Sequence, residues 1–374
     1  MKSIRILFSF IFLAIVFSLF LIGLFKSDTL FSYNENRVLE QKPEFSVNTI
    51  IDGTYTGKME SYVSDQIIFR DNFIWLSTYS KMLMGQKEIN DVYICDDYLI
   101  ETFKKSEIDK SLLNKNIEFI DEFLKNHSNA YIAIIPTATE ILRYKIPKYS
   151  ENISQIDVIN NIYDKQQSID IYSNLINHNS EYIYYRTDHH WTALGAYYGY
   201  LAICDFLNLN SISIDDFNVS IIDSSFKGTI QSKVNINTVD DILYGYEFNS
   251  DNVKYKRVVD EFYNNISESL YDYDKLETKE KYAVYIGGNS SITRIFTENG
   301  KEDRGRLLLL KDSFSHSLIQ FLANHYSEIV MVDLRYYMGG VEKFLSREEP
   351  FDDILLLYNL KNFVSDKNLI RLNK

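Results

Sequence analysis

The run Arg186-Thr187-Asp188-His189-His190-Trp191-Thr192 sets one carboxylate and two imidazoles side by side in a chain with only 6 His among its 374 residues. Asp188 and His190 are two apart, and in extended backbone i and i+2 side chains share a face. The carboxylate could then hold one ring nitrogen of His190 while the other faces a nucleophile, with His189 pointing elsewhere. Ser313 offers the hydroxyl. It stands in RLLLLKDSFSHSLIQFL (306–322), where an apolar run reads as a strand, Lys-Asp-Ser as a sharp turn and the remainder as a helix. A serine there sits at the carboxyl end of a strand, where open α/β sheets place their sites. The backbone N–H groups and dipole of the following helix can also stabilise an oxyanion. The plain alternative is that Ser313 or Ser315 merely caps the helix, as Asp and Ser commonly do.

The same residues admit other readings. Asp188, His189 and His190 could begin a metal shell, but no HxxxH, HExxH or acidic cluster with ligand spacing accompanies them. The catalytic pair ranks first, a polar structural turn second and a metal third, so neither metal nor other cofactor is expected. His316 is a rival base three residues past Ser313. It would have to reach back toward the helix start, with Asp312 its nearby carboxylate, and a packing or surface role suits it better. His127, His178 and His325 fall at the ends of expected helices, where helix C-terminal or solvent roles suffice. Cys95 and Cys204 allow at most one disulfide, and their spacing fits neither a zinc site nor a CxxC pair.

The elements that must position these side chains read as α/β. AYIAIIPT (130–137), IDIYS (169–173), YIYYR (182–186), RLLLL (306–310), EIVMVDL (328–334) and DILLLYN (353–359) read as strands, with helical segments between. Near-continuous apolar strands alternating with helices imply a parallel sheet covered on both faces. The strand at 182–186 would deliver Asp188 and His190 to the edge that carries Ser313. Residues 210–300 are richer in Asn, Asp, Ser and Thr and read as a β-containing insertion, with a helix over KRVVDEFYNNISESLYDYDKL (256–276). DVYICDDYLIE (91–101) alternates about an Asp-Asp turn, a hairpin pattern.

Upstream, Ile6 to Phe25 is an uncharged run of bilayer length behind Lys2 and Arg5, which predicts a transmembrane signal anchor over 6–25 with residues 1–5 cytoplasmic and the remainder outside the cell. A cleaved signal peptide is the competing reading. Residues 26–90 read as a juxtamembrane tether and amphipathic helices between Tyr55 and Met84, and 91–374 as the α/β domain with its insertion at about 210–300. A formal charge of −13, from 52 acidic and 39 basic residues, excludes nucleic acid as a partner, since phosphate contacts need clustered cations. The 29 Tyr and 24 Phe could make sugar-binding platforms, but an aromatic core accounts for them as well.

The chain resembles the DHHW proteins, which are similar to the alginate O-acetyltransferases with an SGNH-hydrolase-like domain. The resemblance is carried by ENRVLEQKPEF (35–45), DGTYTGKMESYVSDQIIFRDNFI (52–74), AIIPT (133–137), RTDHHWT (186–192), YIGGNSS (285–291), LLLLKDSFSHS (307–317), VDLRYY (332–337) and LLLYNLKNF (355–363). It implies Ser313 as nucleophile, His190 as base and Asp188 as its orienter, with Asp and His preceding Ser in the chain. Lys311 stands where the superfamily has the Gly of its nucleophile block. Oxyanion or substrate-binding candidates carried over are Asn359, for which helix capping is an equal reading, the weaker Arg335 and Gly339, and Asn289 as an alternative to Asn359. The implied function is a membrane-anchored extracellular O-acetyltransferase working through an acyl-serine on a secreted or cell-wall polysaccharide. A membrane-bound O-acyltransferase partner would supply the acetyl group. An acetyl esterase of the same fold and a non-catalytic glycan-binding or assembly protein are the alternatives.

Overall fold

The computed structural model describes residues 2–35, 37–163, 167–236, 238–249, 253–259, 265–300 and 304–374. They form two compact units, Met1–Asn90 with Gln231–Asn237, and Asp91–Ile230 with Thr238–Lys374.

The first unit begins with helix α1, Lys2–Phe25, whose segment Ile4–Gly23 is long and apolar enough to cross a membrane. Helices α2 (Thr54–Gln66) and α3 (Arg70–Leu83) follow, joined through Phe69, which takes a left-handed φ of 58°. The stretch after α1 is held rather than loose. Arg37 Nη1 donates to Asp65 Oδ2 at 2.8 Å, Glu40 N–H to the same oxygen at 2.8 Å, and Asn34 Nδ2 to Asp71 Oδ2 at 2.6 Å, while Arg70 pairs with Glu35. Asn34, Glu35, Arg37 and Glu40 thus clasp the turn between α2 and α3.

The second unit is built on an eight-stranded sheet. Its strands are β1 (Ala130–Ile135), β2 (Ser168–Ile169), β3 (Lys254–Val259), β4 (Asn265–Ser267), β5 (Ile292–Glu298), β6 (Arg304–Lys311), β7 (Tyr326–Val332) and β8 (Asp353–Asn359). The order across the sheet is β4-β3-β5-β7-β6-β8-β1-β2. From β7 to β2 the neighbours are parallel, and β4, β3 and β5 add an antiparallel flank. The fold is therefore α/β with a mostly parallel sheet and flanking helices. Leu307 to Leu310 and Leu355 to Leu357 are all fully buried, as a sheet covered on both faces requires. Alternate residues divide between two cores: Leu307, Leu309 and Leu355 pack toward helix α5 (Ala193–Leu207), and Leu308, Leu310 and Leu356 toward α4 (Lys110–Asn126) and α7 (Leu360–Ser365). The hairpin expected at 91–101 pairs Val92–Ile94 with Leu99–Glu101.

Three expectations are corrected. Residues 182–186 form no strand of the sheet: they are one arm of a tight loop closed by a single antiparallel bridge, Tyr184 to Trp191. Their polar groups go to a buried carboxylate instead, Asp241, which accepts from Tyr182 Oη at 2.5 Å and from the N–H groups of Arg186 and Thr187 at 2.7 Å each. Of IDIYS only Ile169 is strand, as the second residue of β2, because Asp170 then accepts from Ser173 N–H at 3.0 Å and caps a helix over Ile171–Asn177. Among its described residues, the helix expected over 256–276 is reduced to a short 3-10 turn at Tyr273–Glu277. Val258 and Val259, β-branched and suited to a pleated surface, pair with Arg294 and Thr293 of β5. The span 210–300 thus divides: Phe217–Phe226 and Asp241–Phe248 make a separate hairpin, and β3 to β5 extend the main sheet.

Candidate active site

The parallel strands end at one edge, so Asp312 and Ser313 after β6, Asp333 and Arg335 after β7, Asn359 closing β8 and Thr137 after β1 converge there. Asp312 makes the turn that presents Ser313. Its Oδ1 accepts from Phe314 N–H at 2.9 Å, and its Oδ2 from Asn359 N–H at 2.8 Å and Asn362 Nδ2 at 2.7 Å, so one carboxylate fixes the ends of β6 and β8 together. Helix α6 (Ser315–Leu322) begins beyond it with Phe314 at the cap position and no side-chain cap bond, which leaves the Ser313 hydroxyl free for another partner.

That partner is His190. Ser313 Oγ lies 2.8 Å from His190 Nε2, and His190 Nδ1 lies 2.5 Å from Asp188 Oδ1. With Nδ1–H donating to the carboxylate, Nε2 is left as the acceptor of the serine proton. Asp188 Oδ1 also accepts the His190 backbone N–H at 3.0 Å, across a bend where extended backbone was expected, and its Oδ2 accepts Thr229 N–H at 2.9 Å and Thr229 Oγ1–H at 3.1 Å. The His190 ring stacks on Tyr282, centroids 3.9 Å apart and planes 10° apart, and Tyr282 Oη donates to Ser317 Oγ at 3.1 Å. Trp191 joins the two loops: its Nε1–H donates to the Phe314 carbonyl at 2.8 Å. Among the described residues no acceptor takes the Ser313 N–H, which leaves it available to an oxyanion.

Electrostatics suit a base. Burial by itself pushes the Asp188 carboxyl up, but His189, His190 and the Thr229 N–H outweigh it and hold the group far below the usual carboxylate range. Burial, then the neighbouring His189, lowers the His190 imidazole to about 4 against the opposing pull of Asp188. His190 is therefore neutral at physiological pH.

His189 turns aside, its Nδ1 2.8 Å from Thr229 Oγ1, and borders a cleft with Thr137, Thr139, Asn359 and Lys361. His316 is not a second base at Ser313. It is buried, its Nε2 2.8 Å from Lys311 Nζ, and burial followed by the Lys311 charge drives its pKa well down. Lys311, which ends β6, reaches Asp333 at 3.4 Å, and Asp333 binds Arg335 through Nε at 2.9 Å and Nη2 at 2.7 Å. Arg335 is thus committed to Asp333, and Asn289 accepts from it at 3.4 Å. Asn359 N-caps α7: its Oδ1 accepts Lys361 N–H at 3.0 Å and its Nδ2 donates to the Ile135 carbonyl at 3.1 Å, leaving one amide hydrogen toward the cleft. Gly339 lies against the Tyr337 ring, and among the described residues no hydrogen bond brings Gly339, Asn289 or Arg335 to Ser313.

Asp188, His189 and His190 are also the one group among the described residues whose possible ligand atoms converge, within 4.8 Å. A cation there would have to break the Asp188–His190 and His189–Thr229 bonds. Thr229, Gly228, Tyr282 and Asp241 were not signalled by the sequence: each meets the DHHW loop from far along the chain, through a residue type that is ordinary in its own neighbourhood.

The fold has solved counterparts. A DHHW family protein from Eubacterium siraeum is 24% identical, with a TM-score of 0.63 over 76% of this chain and 96% of that one. Bacillus cereus PatB1, solved with a sulfonyl adduct, is 21% identical, with a TM-score of 0.60 over 76% of this chain and 98% of its own. The O-acetyltransferase domain of Pseudomonas putida AlgJ is 14% identical, with a TM-score of 0.45 over 75% of this chain and 95% of its own. No curated protein matches the sequence. The family model described as DHHW protein matches residues 82–332, and the chain belongs to the DHHW family.

Proposed function

We propose that this chain is a serine-dependent O-acyltransferase that moves an acetyl group onto a hydroxyl of a secreted or cell-wall polysaccharide. The observation that carries the reading is the continuous relay from Asp188 through His190 to Ser313. His190 Nε2 takes the Ser313 proton as Oγ attacks the acetyl carbonyl, and the resulting oxyanion faces the Ser313 N–H. His190 returns the proton to the leaving group, which departs and leaves an acetyl ester on Ser313. An acceptor hydroxyl then gives its proton to His190 and attacks that ester, and His190 passes the proton to Ser313 Oγ as it leaves, which forms the product ester and restores the serine and the neutral imidazole. Asp188 keeps the tautomer and stabilises the imidazolium at both proton transfers. The sulfonyl adduct carried by the PatB1 structure supports a nucleophile on this fold.

In the same proposal α1 anchors the chain, the catalytic unit lies outside the cell, and a membrane-bound O-acyltransferase relays the acetyl group. Water in place of the sugar hydroxyl would make the same acyl-enzyme an acetyl esterase. The test is incubation with p-nitrophenyl acetate, with and without oligosaccharide. The expected result is a burst of p-nitrophenol, an acetyl adduct on the Ser313 peptide, and turnover that transfers acetyl to the sugar. Release as acetate whatever sugar is present would support the esterase, and no adduct on Ser313 would leave the non-catalytic glycan-binding reading.

A further inference from the structure

Helix α3 presents its apolar side to solvent. At a period of 3.6 residues Phe73, Leu76, Ser80 and Leu83 line up on one side, and Phe69 continues the line from the residue before the helix. In a helix packed on a core this would be the covered stripe. Here Phe69, Phe73, Leu76 and Leu83 are 58, 45, 54 and 88% exposed, while the buried residue is Thr78 on the opposite side. Single exposed apolar residues are ordinary, but a contiguous stripe marks a contact surface.

The chain itself says what lies next to that stripe. Thr29 N–H donates to Gln66 Oε1 at 2.8 Å, Gln66 Nε2 returns a bond to the Thr29 carbonyl at 2.9 Å, and Tyr62 Oη donates to Asp28 Oδ1 at 2.9 Å. Thr29 is four residues past the end of α1, and an extended chain covers at most about 3.6 Å per residue, so Thr29, to which the Gln66 side chain is bonded, stays within about 15 Å of the end of α1. Phe69 comes three residues after Gln66, and the Asn34–Asp71 and Glu35–Arg70 contacts hold the start of α3 in the same cluster.

We propose that α3 lies along the surface of the membrane that α1 crosses, with Phe69, Phe73, Leu76 and Leu83 inserted at the boundary between headgroups and acyl chains. The opposite side, with Ile74, Thr78 and Met82, is buried or half-buried, so the aromatic and aliphatic stripe is the side left to face that boundary. The proposal rests on the reading of α1 as a retained anchor.

The test uses the full chain carrying Trp75→Phe and Phe73→Trp, inserted into vesicles of phosphatidylcholine and phosphatidylglycerol with or without bromine on the acyl chains. Trp191 is fully buried and serves as the constant background. The reporter at position 73 is expected to be blue-shifted, quenched by brominated chains and shielded from acrylamide. Adding Leu76→Ser and Leu83→Ser should reverse all three without lowering the melting temperature. Indifference to bromine with full acrylamide access, in vesicles from which carbonate does not extract the chain, overturns the proposal alone. Extraction by carbonate overturns the anchor and the proposal with it. A discrete crosslinked protein from Leu76→p-benzoylphenylalanine in cells, whether a second copy or another chain, likewise overturns the lipid assignment.

Discussion

At the scale of single residues the relay can be cut at each link. Ser313→Ala and His190→Ala should each lower kcat by about 10^4-fold or more, and Asp188→Asn by somewhat less, because members of a triad act as a unit. The check is steady-state turnover of p-nitrophenyl acetate by variants whose circular dichroism is unchanged. The pH profile is a separate prediction. Neutral His190 is the active form and its pKa lies near 4, so kcat/KM should rise with pH through an ionisation well below the ordinary 6.5 of the imidazole. His189 is one of the influences that lower it, so His189→Ala should leave the plateau nearly intact and move the acid limb to higher pH. An acid limb that stays in place would remove His189 from that role. Asp188, His190 and Ser313 were legible because two signals are local: the i, i+2 spacing of Asp and His, and the turn between an apolar run and a helix. Asn359 was legible only as a choice between donor and cap, and its side chain makes the cap bond to Lys361. Thr229 and Tyr282 were not legible, since nothing near them in sequence says which distant loop they meet.

At the scale of elements, two loops must be locked together, and two residues do it. Trp191→Phe removes the donor to the Phe314 carbonyl and part of a fully buried side chain. Leaving a buried acceptor unsatisfied costs about 1–3 kcal/mol, and a cavity adds to that. The variant should melt earlier and turn over more slowly, measured by calorimetry and by acetyl-ester hydrolysis. Gly228 is the second. A Cβ there would lie 2.5 Å from Asp188 Oδ2 and 2.6 Å from Asp188 Cα, so Gly228→Ala must displace the carboxylate that orients His190. Misplacement of a catalytic group by about 1 Å costs on the order of 10^2-fold, and that loss in kcat is expected with the overall fold retained. The parallel strands were readable because strands covered on both faces are continuous apolar runs. The 182–186 and 256–276 segments were not, because their fates were decided by Asp241 and by β5, partners that no local pattern announces.

At the scale of the whole molecule, buried neutral histidines make stability depend on pH. The folded pKa of His190 and of His316 lies below the unfolded 6.5, so between those values the unfolded chain binds more protons and acidification favours unfolding. For His190 the drop to about 4 corresponds to about 3 kcal/mol, present above pH 6.5 and lost as pH falls toward 4. The melting temperature should therefore fall across that window, and His316→Gln should flatten the dependence, since it removes one of the two titrating groups. Scanning calorimetry between pH 4 and 8 checks both.

The strand order sets a schedule for assembly. β8 is the last strand to be made, yet it lies between β6 and β1 in the middle of the sheet. Until residues 353–359 have emerged, β1 has no neighbour on that side, the Asp312 carboxylate lacks Asn359 and Asn362, and the turn that aims Ser313 is unsupported. A chain halted short of them can contain Asp188, His190 and Ser313 and still not hold them in line. In the proposed reading, Ser313 is therefore aimed only once β8 and Asn362 have joined the sheet and tied down the Asp312 carboxylate.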